Sequence, residues 1–249
     1  MRSLPSLASL LLACQLLPAP TPMAHTLART PGPAPARCLM VLLPGAGDHI
    51  RSFSDERFVQ AIRDTGLSID IASAEATMGY YFRGVLAERL EHDVLAPNRG
   101  GHEQVWILGI SMGGFGSLHY AQQHPVDGVI ALAPWLGDRK LADEIQRSGG
   151  LARWTPDPPA PVTKDNYQRQ LWSWLHRSTS PGAKAPVIFL GYGDDDRLAA
   201  QDSLLAAALP RDHVFHAPGG HDWPTWRTLL HAVLRHPDFT RSCAASPVP

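Results

Sequence analysis

Residues 104–116 read QVWILGISMGGFG, and this stretch decides the fold. The apolar run ending at Ile110 is suited to a buried strand, and the residues from Met112 onward predict a helix over 112–123. A strand that turns into a helix within a single residue needs an unusual backbone there, and glycines on either side relieve the crowding. Gly109, Ser111 and Gly113 form a G-x-S-x-G pattern at that turn. The pattern alone is weak, since a serine that merely caps a helix would look the same. Its position between a strand and a helix is what a nucleophile elbow requires. The helix N-terminus then offers free N–H groups and a positive dipole end to a developing oxyanion.

Outward from the elbow, short apolar runs alternate with helical patterns. Strands are predicted at 38–43 (CLMVLL), 67–72, 104–110, 128–133, 186–191 and 213–217, with helices at 54–65, 80–96, 112–123, 198–208 and 225–235. This alternation predicts an α/β fold with a mainly parallel central sheet and helices on both faces. Residues 135–185 break the rhythm with four Trp, many Pro and a helical piece near 165–177; the excursion is a candidate lid or a structural insert.

A serine hydroxyl is a poor nucleophile until a base takes its proton, and the base needs an acid to hold its tautomer. Two later strands end in suitable loops. The strand at 186–191 runs into Tyr192-Gly193-Asp194-Asp195-Asp196, and the strand at 213–217 runs into Gly219-Gly220-His221-Asp222-Trp223. Gly-x-Ser-x-Gly, then Gly-x-x-Asp, then Gly-His in this order resembles the α/β-hydrolase superfamily, and most closely its bacterial esterase-like members. The resemblance spans about residues 38–236 and speaks to fold and triad rather than to substrate. It implies Ser111 as nucleophile, His221 as base and Asp196 as acid, with Asp194 and Asp195 as rivals for the last role. Asp222 is read as the cap of the last helix. The resemblance also implies an oxyanion hole from the Met112 N–H and a second N–H in the loop Pro44-Gly45-Ala46-Gly47, for which Ala46 is the candidate. Trp135, Tyr80 and Trp223 are candidate substrate contacts, with Tyr81 and Trp226 behind them. The implied reaction is hydrolysis of a small-molecule carboxylic ester, with no metal and no cofactor. Acyl transfer or thioester cleavage by the same triad, and a non-catalytic binding role, are the alternatives.

The bulk properties fit this reading. The 249 residues suffice for one sizeable domain, and 44% hydrophobic content with 18% charge is ordinary for a globular chain. A net charge of −1, with no basic run interleaved with aromatics, gives no footprint of a nucleic-acid binder. Residues 1–37 read differently from 38–249. Arg2, the apolar run Leu4 to Leu12 and then Ala13-Cys14 describe a secretory signal too short to span a bilayer, so export is expected. Leu10 to Cys14 also resembles a bacterial lipobox, in which a lipidated Cys14 would attach the protein to a membrane; a plain signal cut before Pro35 and a misassigned start are the alternatives. The Pro- and Ala-rich residues 18–36 suit a tether, and the whole of 1–37 is set outside the fold. Cys38 and Cys243 remain, one at each end of the domain, and export makes a disulfide between them chemically permissible. Oligomeric state is left open.

Overall fold

The computed structural model describes residues 17–32 and 34–245. A seven-stranded sheet is formed by β1 (His25–Ala28), β2 (Cys38–Leu43), β3 (Ile69–Ala74), β4 (Gln104–Ile110), β5 (Gly128–Leu132), β6 (Val187–Gly193) and β7 (Val214–Ala217). Their order is β1-β3-β2-β4-β5-β6-β7, with β1 antiparallel to β3 and every other pair parallel. Helices cover both faces, which is why the central strands read as continuous apolar runs instead of alternating ones. The period of two survives in which core each side chain joins. Leu39, Val41 and Leu43 of β2 pack with Leu90, Val94 and Tyr120, whereas Met40 and Leu42 pack with Phe58, Ile62 and Trp106 on the other face.

Two predicted helices are broken. The one at 54–65 becomes α1 (Ser52–Asp55) and α2 (Phe58–Asp64), separated at Arg57, whose φ is +63°. The one at 80–96 becomes α3 (Met78–Arg83), ended by Gly84 in a left-handed conformation, then α4 (Leu86–Leu90), a π-helical turn (Glu91–Leu95) and α5 (Ala96–Asn98). After β4 comes α6 (Met112–Ala121), close to expectation.

The exclusion of residues 1–37 requires correction. β1 pairs with β3 over His25–Ala28, and Met23 and Ala36 are buried. The anchor is Asp70 in β3, a buried carboxylate that accepts from Thr30 N at 2.7 Å and Ala36 N at 3.4 Å and meets His102 Nε2 at 3.1 Å. Burial alone would raise its pKa, but these hydrogen bonds outweigh it and hold Asp70 below the usual carboxylate range. The segment at 17–20 is also engaged, with Thr77 Oγ1 donating to Pro18 O at 2.6 Å. Cys14 lies outside the described residues. No helix among those described is long and apolar enough to cross a membrane.

The excursion at 135–185 is a packed part of the domain. It contains α7 (Arg139–Arg147) and α8 (Tyr167–Ser178), which send Leu141, Ile145, Leu171, Trp172 and Leu175 into the main core. Arg169 clamps it internally, donating to Glu144 Oε2 at 2.9 Å and Asp157 Oδ2 at 3.1 Å, and Trp172 Nε1 donates to Leu136 O at 2.8 Å. Three helices complete the chain: α9 (Ala199–Ala206), α10 (Trp223–Leu234) and α11 (Pro237–Cys243). The last is tied to the start of β2 by a disulfide between Cys38 and Cys243, both fully buried, with Cα atoms 5.4 Å apart.

Candidate active site

The site forms where the loops after β2, β4, β6 and β7 meet at the carboxyl ends of the parallel strands, the usual place for a ligand in an open α/β sheet. Ser111, between β4 and α6, has φ +55° and ψ −115°. Holding a non-glycine residue there costs about 1–3 kcal/mol, so the surroundings must enforce it. They do: Ser111 N donates to Leu132 O at 2.9 Å, and Ser111 O accepts from Phe115 N at 3.1 Å and Trp135 N at 3.0 Å. The motif's glycines are required by close approach. A Cβ on Gly109 would lie 2.0 Å from Gly113 O, and one on Gly113 would lie 2.0 Å from Leu43 O.

His221 follows β7 and Asp196 follows β6. The structure brings both to the serine: His221 Nε2 lies 2.9 Å from Ser111 Oγ, and His221 Nδ1 lies 2.8 Å from Asp196 Oδ2. The Asp196 side chain is fully buried and its Oδ1 also accepts from Leu198 N at 2.8 Å, so the carboxylate is fixed from two sides. With the Nδ1 proton directed at Asp196, the lone pair on Nε2 is free to accept the hydroxyl proton of Ser111. The rival aspartates turn elsewhere: both are exposed, and Asp194 faces His216 at 3.8 Å. Asp222 caps α10, accepting from Thr225 N at 2.9 Å. That bond is the chief reason its carboxyl is held below the usual range.

A cavity of about 560 Å³ opens over these groups, lined by Gly45 and Ala46 from the loop after β2 and by Ser111, His221, Trp223 and Trp226. Met112 is the first residue of α6, so its N–H has no intrahelical acceptor. Among the described residues, Ala46 N–H makes no backbone hydrogen bond. Trp226 meets the His221 ring edge-to-face at 4.9 Å and Trp223 at 5.3 Å. Phe53 and Phe58 buttress Trp223 edge-to-face from behind, at 5.7 and 5.2 Å.

One of the three proposed substrate contacts needs correction. Tyr80 is buried away from the cavity, where its hydroxyl donates to Pro20 O at 2.5 Å. The Trp135 backbone donates to the nucleophile's carbonyl at 3.0 Å, and its half-buried ring packs on Phe115 and Tyr167. Conversely, Asp48, Glu56 and Arg197 also line the cavity and went unremarked in the sequence. Their neighbours held the signal, since Asp48 shares the loop of Ala46 and Arg197 adjoins Asp196. Burial raises the Asp48 carboxyl above the usual range, against smaller opposing effects of the Trp223 side chain and His49.

Among the described residues one trio has metal-compatible spacing: Asp212, His213 and His236, at the opposite end of β7 from the site. His236 Nδ1 accepts from Asp238 N at 3.2 Å, which leaves its proton on Nε2 toward Asp212. His213 Nε2 lies 3.2 Å from Asp238 Oδ2, so both histidines have a hydrogen-bond partner outside the trio.

Comparison with known proteins agrees with this architecture. Residues 74–236 match the Esterase family, described as "Putative esterase". The chain belongs to that family. No curated protein matches it significantly by sequence. Among solved structures, a ferulic acid esterase is similar with TM-score 0.56 and 18% identity, over 83% of this chain and 85% of that one. The S-formylglutathione hydrolase of Staphylococcus aureus is similar with TM-score 0.54 and 14% identity, over 88% and 98%. Est1E from Butyrivibrio proteoclasticus gives 0.53 and 15%, over 86% and 91%. At these identities the structures speak to the fold, which is that of the α/β hydrolases. The family membership makes the chain an esterase, a carboxylic ester hydrolase.

Proposed function

We propose that ester hydrolysis in this protein runs through an acyl-enzyme on Ser111. His221 takes the Ser111 proton as the oxygen attacks the ester carbonyl, and the N–H groups of Ala46 and Met112 receive the tetrahedral oxyanion. His221 then gives the proton to the leaving alcohol. In the second half, water attacks the acyl-enzyme with His221 again as base, and the acid departs. Asp196 holds the imidazole tautomer and balances its positive charge. The observation that carries the reading is the unbroken relay Ser111–His221–Asp196, at 2.9 and 2.8 Å, assembled from loops after three different strands. A fluorophosphonate probe tests it. Labelling mapped to Ser111 and lost in Ser111→Ala is expected; labelling that survives the substitution would overturn it.

We further propose that the protein works after export, with Cys14 as a site of lipidation. The buried Cys38–Cys243 disulfide supports an oxidising compartment. Processing or lipid attachment at Cys14 would leave β1 and its Asp70 anchor intact, whereas a cut just before Pro35 would remove β1. Mass spectrometry of the mature N-terminus decides between these.

A further inference from the structure

The cavity's polar lining is unbalanced in a way the ester chemistry does not explain. It holds three carboxylates, Asp48, Glu56 and Asp222, against one guanidinium, Arg197. Two of the carboxylates are already engaged. Glu56 pairs with Arg227 at 3.1 Å, and Asp222 accepts from Thr225 N at the positive end of α10. Asp48 is different. It is half-buried and, among the described residues, has no ion-pair partner within 4.0 Å. Its Oδ2 lies 2.9 Å from where a Cβ on Gly45 would stand, so the carboxyl folds back over the loop toward the cavity. Arg197 is exposed, where water and salt screen it, and so compensates a half-buried charge poorly.

Beside Asp48 stands the indole of Trp223, on which the buried Trp226 packs edge-to-face at 5.3 Å. Their positions are fixed by Phe53, Phe58 and the His221 ring. A carboxylate that meets the Trp223 side chain but has no ion-pair partner, set next to rigid aromatic surface, is a combination that can recognise an organic cation, by Coulomb attraction and by contact with the rings. The geometry also indicates which half of the ester lies there. The leaving oxygen must reach His221 Nε2 to be protonated, and the indoles stand at that ring, Trp226 on His221 at 4.9 Å and Trp223 on Trp226 at 5.3 Å.

We infer that the cavity binds the alcohol part of the substrate and selects esters of cationic amino alcohols, with Asp48 as the specificity-determining residue. This rests on the acyl-enzyme reading above. The reaction itself is unchanged: the ester C–O bond breaks, the acyl group passes to Ser111 and then to water, and the cationic alcohol leaves carrying the proton from His221.

The test compares kcat/KM of the full chain for acetylcholine and for 3,3-dimethylbutyl acetate, its uncharged isostere, with p-nitrophenyl acetate as control. A preference for the cation on the order of tenfold is expected. It should shrink as sodium chloride is raised and approach unity in Asp48→Asn. Equal or better use of the uncharged isostere would overturn the inference. So would a preference that Asp48→Asn and salt leave intact, or turnover of p-nitrophenyl acetate with neither alkyl ester accepted. Loss of all three activities together with absent fluorophosphonate labelling would instead remove the acyl-enzyme reading beneath it.

Discussion

His221 Nδ1 sits between the two oxygens of Asp196, 3.0 Å from Oδ1 and 2.8 Å from Oδ2, while Asp194 and Asp195 remain exposed on the same turn. Of three consecutive aspartates, two thus stay in solvent and one is buried against the histidine. β6 ends at Gly193, and the turn that follows, closed by Asp196 N donating to Gly193 O at 3.1 Å, aims only the last of them inward.

Asp196→Asn is therefore expected to lower kcat by about 10³–10⁴-fold with the fold unchanged, because an amide favours the wrong imidazole tautomer. Asp194→Asn and Asp195→Asn should stay within a few-fold of the parent. Steady-state kinetics with circular dichroism on the three variants checks this; equal losses in all three would refute the assignment.

The disulfide should matter for stability and little for turnover. Cys38 begins β2, at the end of the sheet opposite Ser111, and the loop closed with Cys243 spans 205 residues. Reduction is expected to cost about 2–4 kcal/mol of unfolding free energy. Urea midpoints with and without reductant measure it, and activity in the absence of urea should persist.

Asp70 gives a pH dependence of defined sign. Its folded pKa is depressed below the ordinary 3.8, so its contribution is complete above that value and is lost as the pH falls through the folded pKa. Asp70→Ala leaves the N–H groups of Thr30 and Ala36 without their acceptor and should cost about 2–4 kcal/mol near neutrality. The difference between parent and variant should narrow on strong acidification. Hydrogen exchange should find the loss first in β1.

Why β1 escaped the sequence reading follows from the same residues. His-Thr-Leu-Ala is four residues long, half-exposed, and follows a Pro-rich stretch, so it carries neither a buried-strand composition nor a usable alternation. Its place depends on Asp70, some forty positions away. β4 was legible from end to end because burial on both faces writes itself into composition. The three polar residues of the site were legible because close backbone contacts force glycines around them. Aromatic contacts were not, since a tyrosine satisfied by Pro20 and a tryptophan facing a cavity look alike in one dimension. The excursion at 135–185 stayed open between lid and structural insert for a related reason, because only in the structure are Trp172 and Leu171 seen in the core.

That packing makes a further prediction. No residue of 135–185 lines the cavity, so breaking the Arg169 clamp with Arg169→Ala should lower the melting temperature while leaving KM for a small ester unchanged. A mobile cover would behave oppositely, changing KM with little effect on melting. Differential scanning calorimetry and kinetics on one variant separate the two.

The Asp48 carboxyl titrates above the usual range because it is desolvated, so it becomes neutral at a pH where other carboxylates still carry charge. Effects common to both substrates cancel in a ratio of their rates. The ratio of kcat/KM for a cationic ester to that for its uncharged isostere therefore isolates Asp48. It should rise with pH through the raised pKa of this group and then level off. In Asp48→Asn the ratio should be flat across the same range. A parent ratio that is also flat would mean that no titrating carboxylate faces the bound alcohol.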